Sequence, residues 1–301
     1  MSDTNTHTDT SAAQGRPKQA SAPSGGSAAP AGASVGAVNY LLHLADNAVV
    51  LGQRNAEWCG HGPILEEDLA LANMSLDLIG QARLLYQLAA ERMGEWGGEA
   101  ATEDRLAYFR DVPDFANYTL LELPHHSALV GYAKSDLDYA TTIVRNFLYS
   151  ALMVPLWHQL QQPAHNPDAA LGAIAAKSFK EASYHLRHAR DWLVKLGDGT
   201  ADSHARTQAA LDHLLPYTLE FWTQTALETE AAQAGIAIDW TVLAEGWHTL
   251  VNDALSEATL KKPDISRAYV TRGKLRQHSE HLGYLLTEMQ SLARAHPGAQ
   301  W

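Results

Sequence analysis

Two segments of the sequence hold polar side chains at a spacing that suits metal or proton chemistry. Between Ala72 and Leu88, Asp77 stands four residues before Gln81, and between Ala176 and Trp192, Glu181 stands four before His185. The segments are weak copies of one another, offset by 104 positions. On a helix, residues four apart share a face, so each copy turns a carboxylate and a nitrogen-bearing group the same way. Carboxylate oxygen with imidazole nitrogen is a donor set that iron accepts. A Glu-x-x-His ligand pair would place its carboxylate three residues before the nitrogen, at 78 and 182. Those positions are Leu78 and Ala182, and neither can bind a metal.

Helices must carry these groups. The hydrophobic period is helical from Asn39 to about Trp58, where Gly60, Gly62 and Pro63 close the first element. The next helix starts near Pro63, with Glu66, Glu67 and Asp68 at its positive end, and runs to about Met93, roughly 45 Å at 1.5 Å per residue. Gly94, Gly97 and Gly98 end it. A short segment from Arg105 to Arg110 and a turn at Pro113 lead to a long helix over Ser127 to Gln161, kinked at Pro155. Pro163 and Pro167 then break the chain before a fourth long helix, Asp168 to Leu196. Further helices are expected near 203–233, 239–258 and 273–295, and no strand alternation competes. The fold class is therefore all-α, an elongated ferritin-like bundle with additional C-terminal helices. Residues 1–36, rich in Ser, Thr, Ala, Gly and Pro, cannot repay the entropy of ordering and read as a disordered N-terminal arm; residues 37–301 form one helical domain.

Ferritin-like di-iron proteins converge a Glu-x-x-His pair from each of two helices and one Glu from each of the other two. Here the other two helices offer little. Asn146 to Val154 carries no acid, Asp136 and Asp138 sit near the start of that helix, and Asp46 alone lies inside the first. Asp46, Asp77, Glu181 and His185 are expected to form a charge-balanced network at the bundle centre, joined by Lys180 or Arg187, since buried charges persist chiefly when paired.

The remaining features favour structure over chemistry. His185 with His188 and His278 with His281 have i,i+3 spacing, but among fifteen histidines such pairs arise readily and no zinc site is expected. Cys59, the only cysteine, excludes a disulfide framework and reads as a small buried hydrophobe beside Trp58, in a cytoplasmic protein. Trp157, Trp192, Phe221, Trp222 and Trp247 read as core or subunit contacts. There is no Walker loop or dinucleotide fingerprint. The net charge of −12 argues against nucleic acid and anionic lipid, and no signal sequence or membrane span is expected.

The run Glu57-Trp58-Cys59-Gly60-His61-Gly62-Pro63, then Glu66 to Asn73 and Leu76-Asp77-Leu78-Ile79-Gly80-Gln81-Ala82-Arg83, resembles the C subunits of phenylacetyl-CoA epoxidases. So do Lys180 to Arg187, Gly235-Ile236-Ala237, Glu257 to Leu260, Glu280 to Gly283 and the ending Pro297 to Trp301. The resemblance covers the chain from about residue 38. It implies a non-catalytic structural subunit, without cofactor, that pairs with and stabilises a related catalytic A subunit in phenylacetate degradation. That partner would carry the di-iron centre, bind phenylacetyl-CoA and insert one oxygen atom as a ring-1,2-epoxide. Electrons would come from NADPH through a flavin and iron-sulfur reductase. The catalytic relatives look like Asp-Glu-Ala-Gly-His where this chain has Asp77 to Gln81, and Glu-Glu-Ser-Phe-His where it has Glu181 to His185. Phe115 and Asn117, in the Asp114 to Asn117 loop, and Thr229, Glu230 and Ala231 would approach the acyl-CoA held by the partner, although helix capping is the plainer role for Asp114 or Asn117. A self-sufficient di-iron oxygenase and a free-standing helical binding protein remain the alternatives.

Overall fold

Ser34 opens the first helix, its Oγ accepting from the Ala37 amide at 3.2 Å to satisfy one of the unpaired N–H groups of the first turn. The structure of the chain is a computed structural model and describes residues 1–2, 34–126 and 137–299. Most of the expected arm lies outside the described residues, as do Ser127 and Asp136. The arm's last two positions, Val35 and Gly36, already belong to the helix. Gly36 is buried against a later helix, where a Cβ would stand 2.6 Å from the Glu230 Cβ.

The helices are α1 (Val35–Ala56), α2 (Leu65–Met93), α3 (Glu103–Tyr108), α4 (Thr119–Glu122), α5 (Tyr139–Leu160), α6 (Ala169–Gly197), α7 (Ala201–Leu214), α8 (Leu219–Trp222), α9 (Ala226–Gln233), α10 (Trp240–Glu257) and α11 (Glu280–Ala295). α1 packs on α2 and α5 on α6, and the two hairpins, joined by the long connection 94–138, meet along α2 and α6. α1 and α5 are buried almost all round and form the interior, while α2 and α6 keep one face outward. By length and composition α1 is apolar enough to cross a membrane, contrary to the expectation of no such stretch, but it is mostly buried inside the fold and serves as the core helix. Gly52 lets α1 and α2 approach closely: a Cβ there would meet Leu78 and Ile79 side chains and the Ser75 carbonyl at 3.2–3.3 Å.

Several boundaries depart from the periodicity. The long helix α5 starts at Tyr139, where Asp138 Oδ1 accepts from the Ala140 amide at 2.9 Å and caps it, and it continues through Pro155; the expected start, Ser127, lies outside the described residues. The stretch 203–233 is three helices: Pro216 opens a 3-10 turn after α7, and Thr223 to Thr225 leave the helical conformation before Thr225 and Glu228 form a capping box on α9. The stretch 273–295 keeps only a 3-10 turn at Gly273–Leu275 before Arg276 turns left-handed (φ 67°) and Ser279 caps α11. Gly97 and Gly98, expected only to end a helix, form the turn of a two-residue hairpin, β1 (Glu95–Trp96) with β2 (Glu99–Ala100), both at positive φ.

Burial also fixes the ionisation of the core. His43 hydrogen-bonds through Nδ1 to the Ala116 carbonyl and accepts at Nε2 from Asn47 Nδ2 at 3.2 Å, and desolvation lowers its pKa to about 4. Burial lowers His213 to about 4 as well. Between pH 6.5 and 4 the unfolded chain therefore holds protons that the folded chain refuses, so these groups make stability fall as pH falls. His278, raised by Glu122, has the opposite sign: its contribution is present below its unfolded pKa and lost as pH rises through the raised value. We expect acidification from pH 7 to 5 to cost more stability in the native chain than in His43→Gln, by about 1 kcal/mol or more, at about 1.4 kcal/mol per unit for a group carried through its shift. Urea unfolding at the two pH values measures this, and equal losses in both chains would contradict it.

Candidate functional site

The repeated pairs meet across the α2–α6 seam, each carboxylate engaging the nitrogen of the other helix. Gln81 Nε2 donates to Glu181 Oε2 at 2.9 Å, and His185 Nε2 lies 3.1 Å from Asp77 Oδ2. This cross-pairing follows from the two helices running antiparallel with matched registers. Lys177, not Lys180 or Arg187, completes the set by pairing with Glu181; Arg187 lies over the Tyr184 ring instead, 5.7 Å from its centroid. The seam lies towards the surface: the Asp77 side chain is 37% exposed and Glu181 17%, whereas His185 and Gln81 are buried.

Beneath these groups, the positions three residues before Gln81 and His185 are hydrocarbon. Leu78 and Ala182 are buried in the core cluster. A carboxylate-bridged iron pair does not fit this donor set, because two of its carboxylate positions have no heteroatom and the Gln81 amide and Glu181 carboxylate already satisfy each other. Among the described residues no group of three or more His, Cys, Asp and Glu side chains is placed to hold a metal ion.

Asp46 stands apart from the seam. It is fully buried and accepts from Tyr86 OH at 2.6 Å, from the Ala116 amide at 2.8 Å and from both terminal nitrogens of Arg110. Burial alone would lower the Arg110 guanidinium, but Asp46 and Tyr86 outweigh it and hold the pKa above its usual value. The expected four-residue network is thus two separate structures. Asp46 and the neighbouring Asn47, whose Oδ1 accepts from the Tyr118 amide at 2.8 Å, clamp the loop 110–118 to α1.

That clamp buries the loop proposed from sequence to approach a substrate. Phe115 and Asn117 are both fully buried, Phe115 under the Arg110 guanidinium at 4.2 Å and Asn117 donating to the Tyr118 carbonyl and to Glu122 Oε2. Asp114 accepts from the Asp111 amide at 3.1 Å, a capping role. On α9, Ala231 is buried in the core, while Thr229 and Glu230 are exposed. Cys59 is exposed, not buried: Trp58 turns inward to donate to Thr142 Oγ1 at 2.8 Å, which leaves the next residue of the turn facing out. Of the expected aromatic core, Trp157, Phe221 and Trp247 are buried, and Trp192 and Trp222 are half-buried.

Other buried groups escaped the sequence entirely. Glu67 joins three bundle helices, accepting from Tyr139 OH at 2.5 Å and pairing with His188 at 2.8 Å. Glu122 Oε1 accepts from the Ser279 amide at 2.7 Å and its Oε2 pairs with His278 Nδ1 at 2.9 Å. The other His278 nitrogen lies 2.8 Å from the Phe115 carbonyl, so both ring nitrogens face an acceptor; burial opposes a charge on the ring but the Glu122 contact raises its pKa. Glu220 holds the Thr119 and Lys274 amides and the Thr271 hydroxyl. Their partners are distant in sequence, so no local pattern announces them.

Two antiparallel helix hairpins joined by a long connection, with paired polar groups facing across α2 and α6, define an all-helical ferritin-like protein. The chain belongs to the phenylacetic acid catabolic protein family, whose model matches residues 24–301. It is 43% identical over 262 residues to the C subunit of the 1,2-phenylacetyl-CoA epoxidase of Escherichia coli (strain K12), an alignment that spans 87% of this chain and 98% of that protein. Among solved structures it is similar to protein 19 with aldehyde deformylating oxidase activity from Synechococcus, with a TM-score of 0.49 and 18% identity, over 75% of this chain and 89% of that one.

Proposed function

We propose that this chain is the non-catalytic structural subunit of a phenylacetyl-CoA epoxidase, pairing with a catalytic A subunit that carries the di-iron centre. The observation that carries this reading is the donor set: Leu78 and Ala182 are buried hydrocarbon at the carboxylate positions, and Gln81 is hydrogen-bonded to Glu181. The epoxidation chemistry then belongs to the partner's iron, supplied with electrons by a flavin and iron-sulfur reductase from NADPH. What remains for this chain is to hold its partner, and a cytoplasmic location goes with that role.

A surface suited to such pairing runs along α2. Leu65, Leu69, Leu76 and Ile79 are 71%, 56%, 66% and 38% exposed, and their spacing places them on one outward face; Tyr184 of α6, 40% exposed, directly precedes His185 of the seam. Contiguous exposed apolar side chains of this kind mark protein-interaction surfaces. The occupant proposed is the outer face of a ferritin-like catalytic subunit, consistent with the subunit name of the 43% identical relative.

Iron analysis tests the reading. The chain purified alone is expected to hold no stoichiometric iron and to show no oxygenase turnover, whereas co-expression with the catalytic subunit yields a complex whose iron follows that subunit. A tightly bound iron pair in the isolated chain would favour a self-sufficient oxygenase, and failure to co-purify with any catalytic subunit would favour a free-standing binding protein.

A further inference from the structure

Away from the α2–α6 seam, a cavity of about 430 Å³ opens where the segment 269–281 crosses the bundle, within the size range of small-molecule sites. Donors dominate its wall: Arg272, His213, His281, Tyr217 and Thr271 line it, against one carboxylate among the described residues, Glu280. Two more carboxylates lie behind the wall, and both are already engaged. Glu122 is taken by the His278 ring and the Ser279 amide, and Glu220 by two amides and the Thr271 hydroxyl. These contacts also make the wall rigid before any ligand arrives, which lowers the ordering cost of binding. Gly273 permits the tight docking, since a Cβ there would stand 2.4 Å from the Asn117 carbonyl.

The positive charge beside the cavity is not balanced in the same way. Arg145 of α5 is fully buried and donates from Nη2 to the carbonyl of Pro124, a wall residue, at 2.5 Å. Among the described residues its Nε and Nη1 have no hydrogen-bond partner, and the carboxylate that acts on it, Glu57, is in an ion pair with Arg54. Burial and the Arg54 charge push its pKa down to about 9. His213 Nε2 is likewise buried without a partner among the described residues, and the titratable groups that act on His213 are Arg145, His126 and His281, all basic side chains. The N-terminal turn of the 16-residue helix α11, with Glu280 and His281 at the wall, adds the positive end of its dipole. A buried cation persists chiefly where a counter-charge reaches it, and this cavity is an opening beside Arg145.

We propose that this cavity binds a small organic anion, its phosphate or carboxylate head held by Arg272 and His281 and its less polar body lying against Leu123, Pro124 and Tyr217. The site is independent of the subunit role, because none of its residues belongs to the seam or to the apolar face of α2.

Calorimetric titration of the full chain with inorganic phosphate, adenosine 5′-monophosphate and benzoate, each at matched ionic strength, tests it, with adenosine and benzamide as neutral counterparts. At least one anion is expected to bind saturably, and its neutral counterpart about tenfold more weakly or not at all; which anion binds separates a phosphate from a carboxylate ligand. Arg272→Ala is expected to weaken binding by about tenfold or more while the melting temperature holds, since the Arg272 side chain is exposed, and Arg272→Lys to retain part of the affinity. Neutral compounds binding as tightly as the anions, no saturable binding by any probe in the millimolar range, or an Arg272→Ala chain that binds like the native one would each overturn the proposal.

Discussion

Arg110→Ala is expected to lower the unfolding free energy by about 3–5 kcal/mol, the usual result of removing one member of a buried ion pair and leaving the other uncompensated. The abandoned charge is Asp46, whose side chain is fully buried, and of its four contacts two come from the lost guanidinium. Arg110 also donates to the Leu106 and Asp114 carbonyls and covers the Phe115 ring, so the same change loosens the loop that carries Phe115 and Asn117. Asp46→Ala is expected to cost a similar amount from the other side. Replacing both members by apolar residues of similar volume recovers much of the loss, because no uncompensated charge remains. Glu181→Ala provides the contrast: its partners Lys177 and Gln81 sit at a partly wet seam, and Lys177 is 52% exposed, so about 1 kcal/mol or less is expected. Urea unfolding of the four variants decides it. An Arg110→Ala loss no larger than that of Glu181→Ala would remove Asp46 and Arg110 as the anchor of the fold.

The second large effect is on assembly. Leu69→Glu combined with Leu76→Glu is expected to reduce affinity for the catalytic subunit by about a hundredfold or more, because two carboxylates would be pressed into an apolar contact without partners. Both side chains are more than half exposed in the isolated chain, so its melting temperature should barely change. Val242→Glu on α10, a residue equally exposed but on another face, serves as the control and should leave pairing intact. Co-purification and a direct binding titration read the outcome. Pairing within a few-fold of native for the double variant would show that the partner sits elsewhere.

Together these variants separate two roles that one polar cluster had seemed to combine. The Asp46–Arg110 pair stabilises the subunit from within, and the α2–α6 surface is where its partner would act. Neither role asks for a metal, which is consistent with hydrocarbon at residues 78 and 182.

The sequence by itself determined the helical class, the four long helices to within a few residues at most ends, and the hydrocarbon side chains of Leu78 and Ala182 three residues before Gln81 and His185. Those properties are local: periodicity, capping residues and the chemistry of a side chain are written in neighbouring positions. It also placed Asp77, Gln81, Glu181 and His185 on matching faces, because i,i+4 spacing is enough to do so. Only the tertiary structure decided which carboxylate met which nitrogen, since that depends on two helices running antiparallel in one register. It moved Asp46 out of the set, because Arg110 and Tyr86 reach it through a loop whose path no periodicity records. It turned Cys59 outward and Phe115 inward for the same reason, a turn being set by what its flanking elements dock against. Glu122 and Glu220 read as ordinary acids until the chain near residues 271 to 279 returns to cover them, more than 150 positions after Glu122 and about 50 after Glu220. Contacts across such separations are made by packing of the whole bundle, and no window of sequence contains both partners.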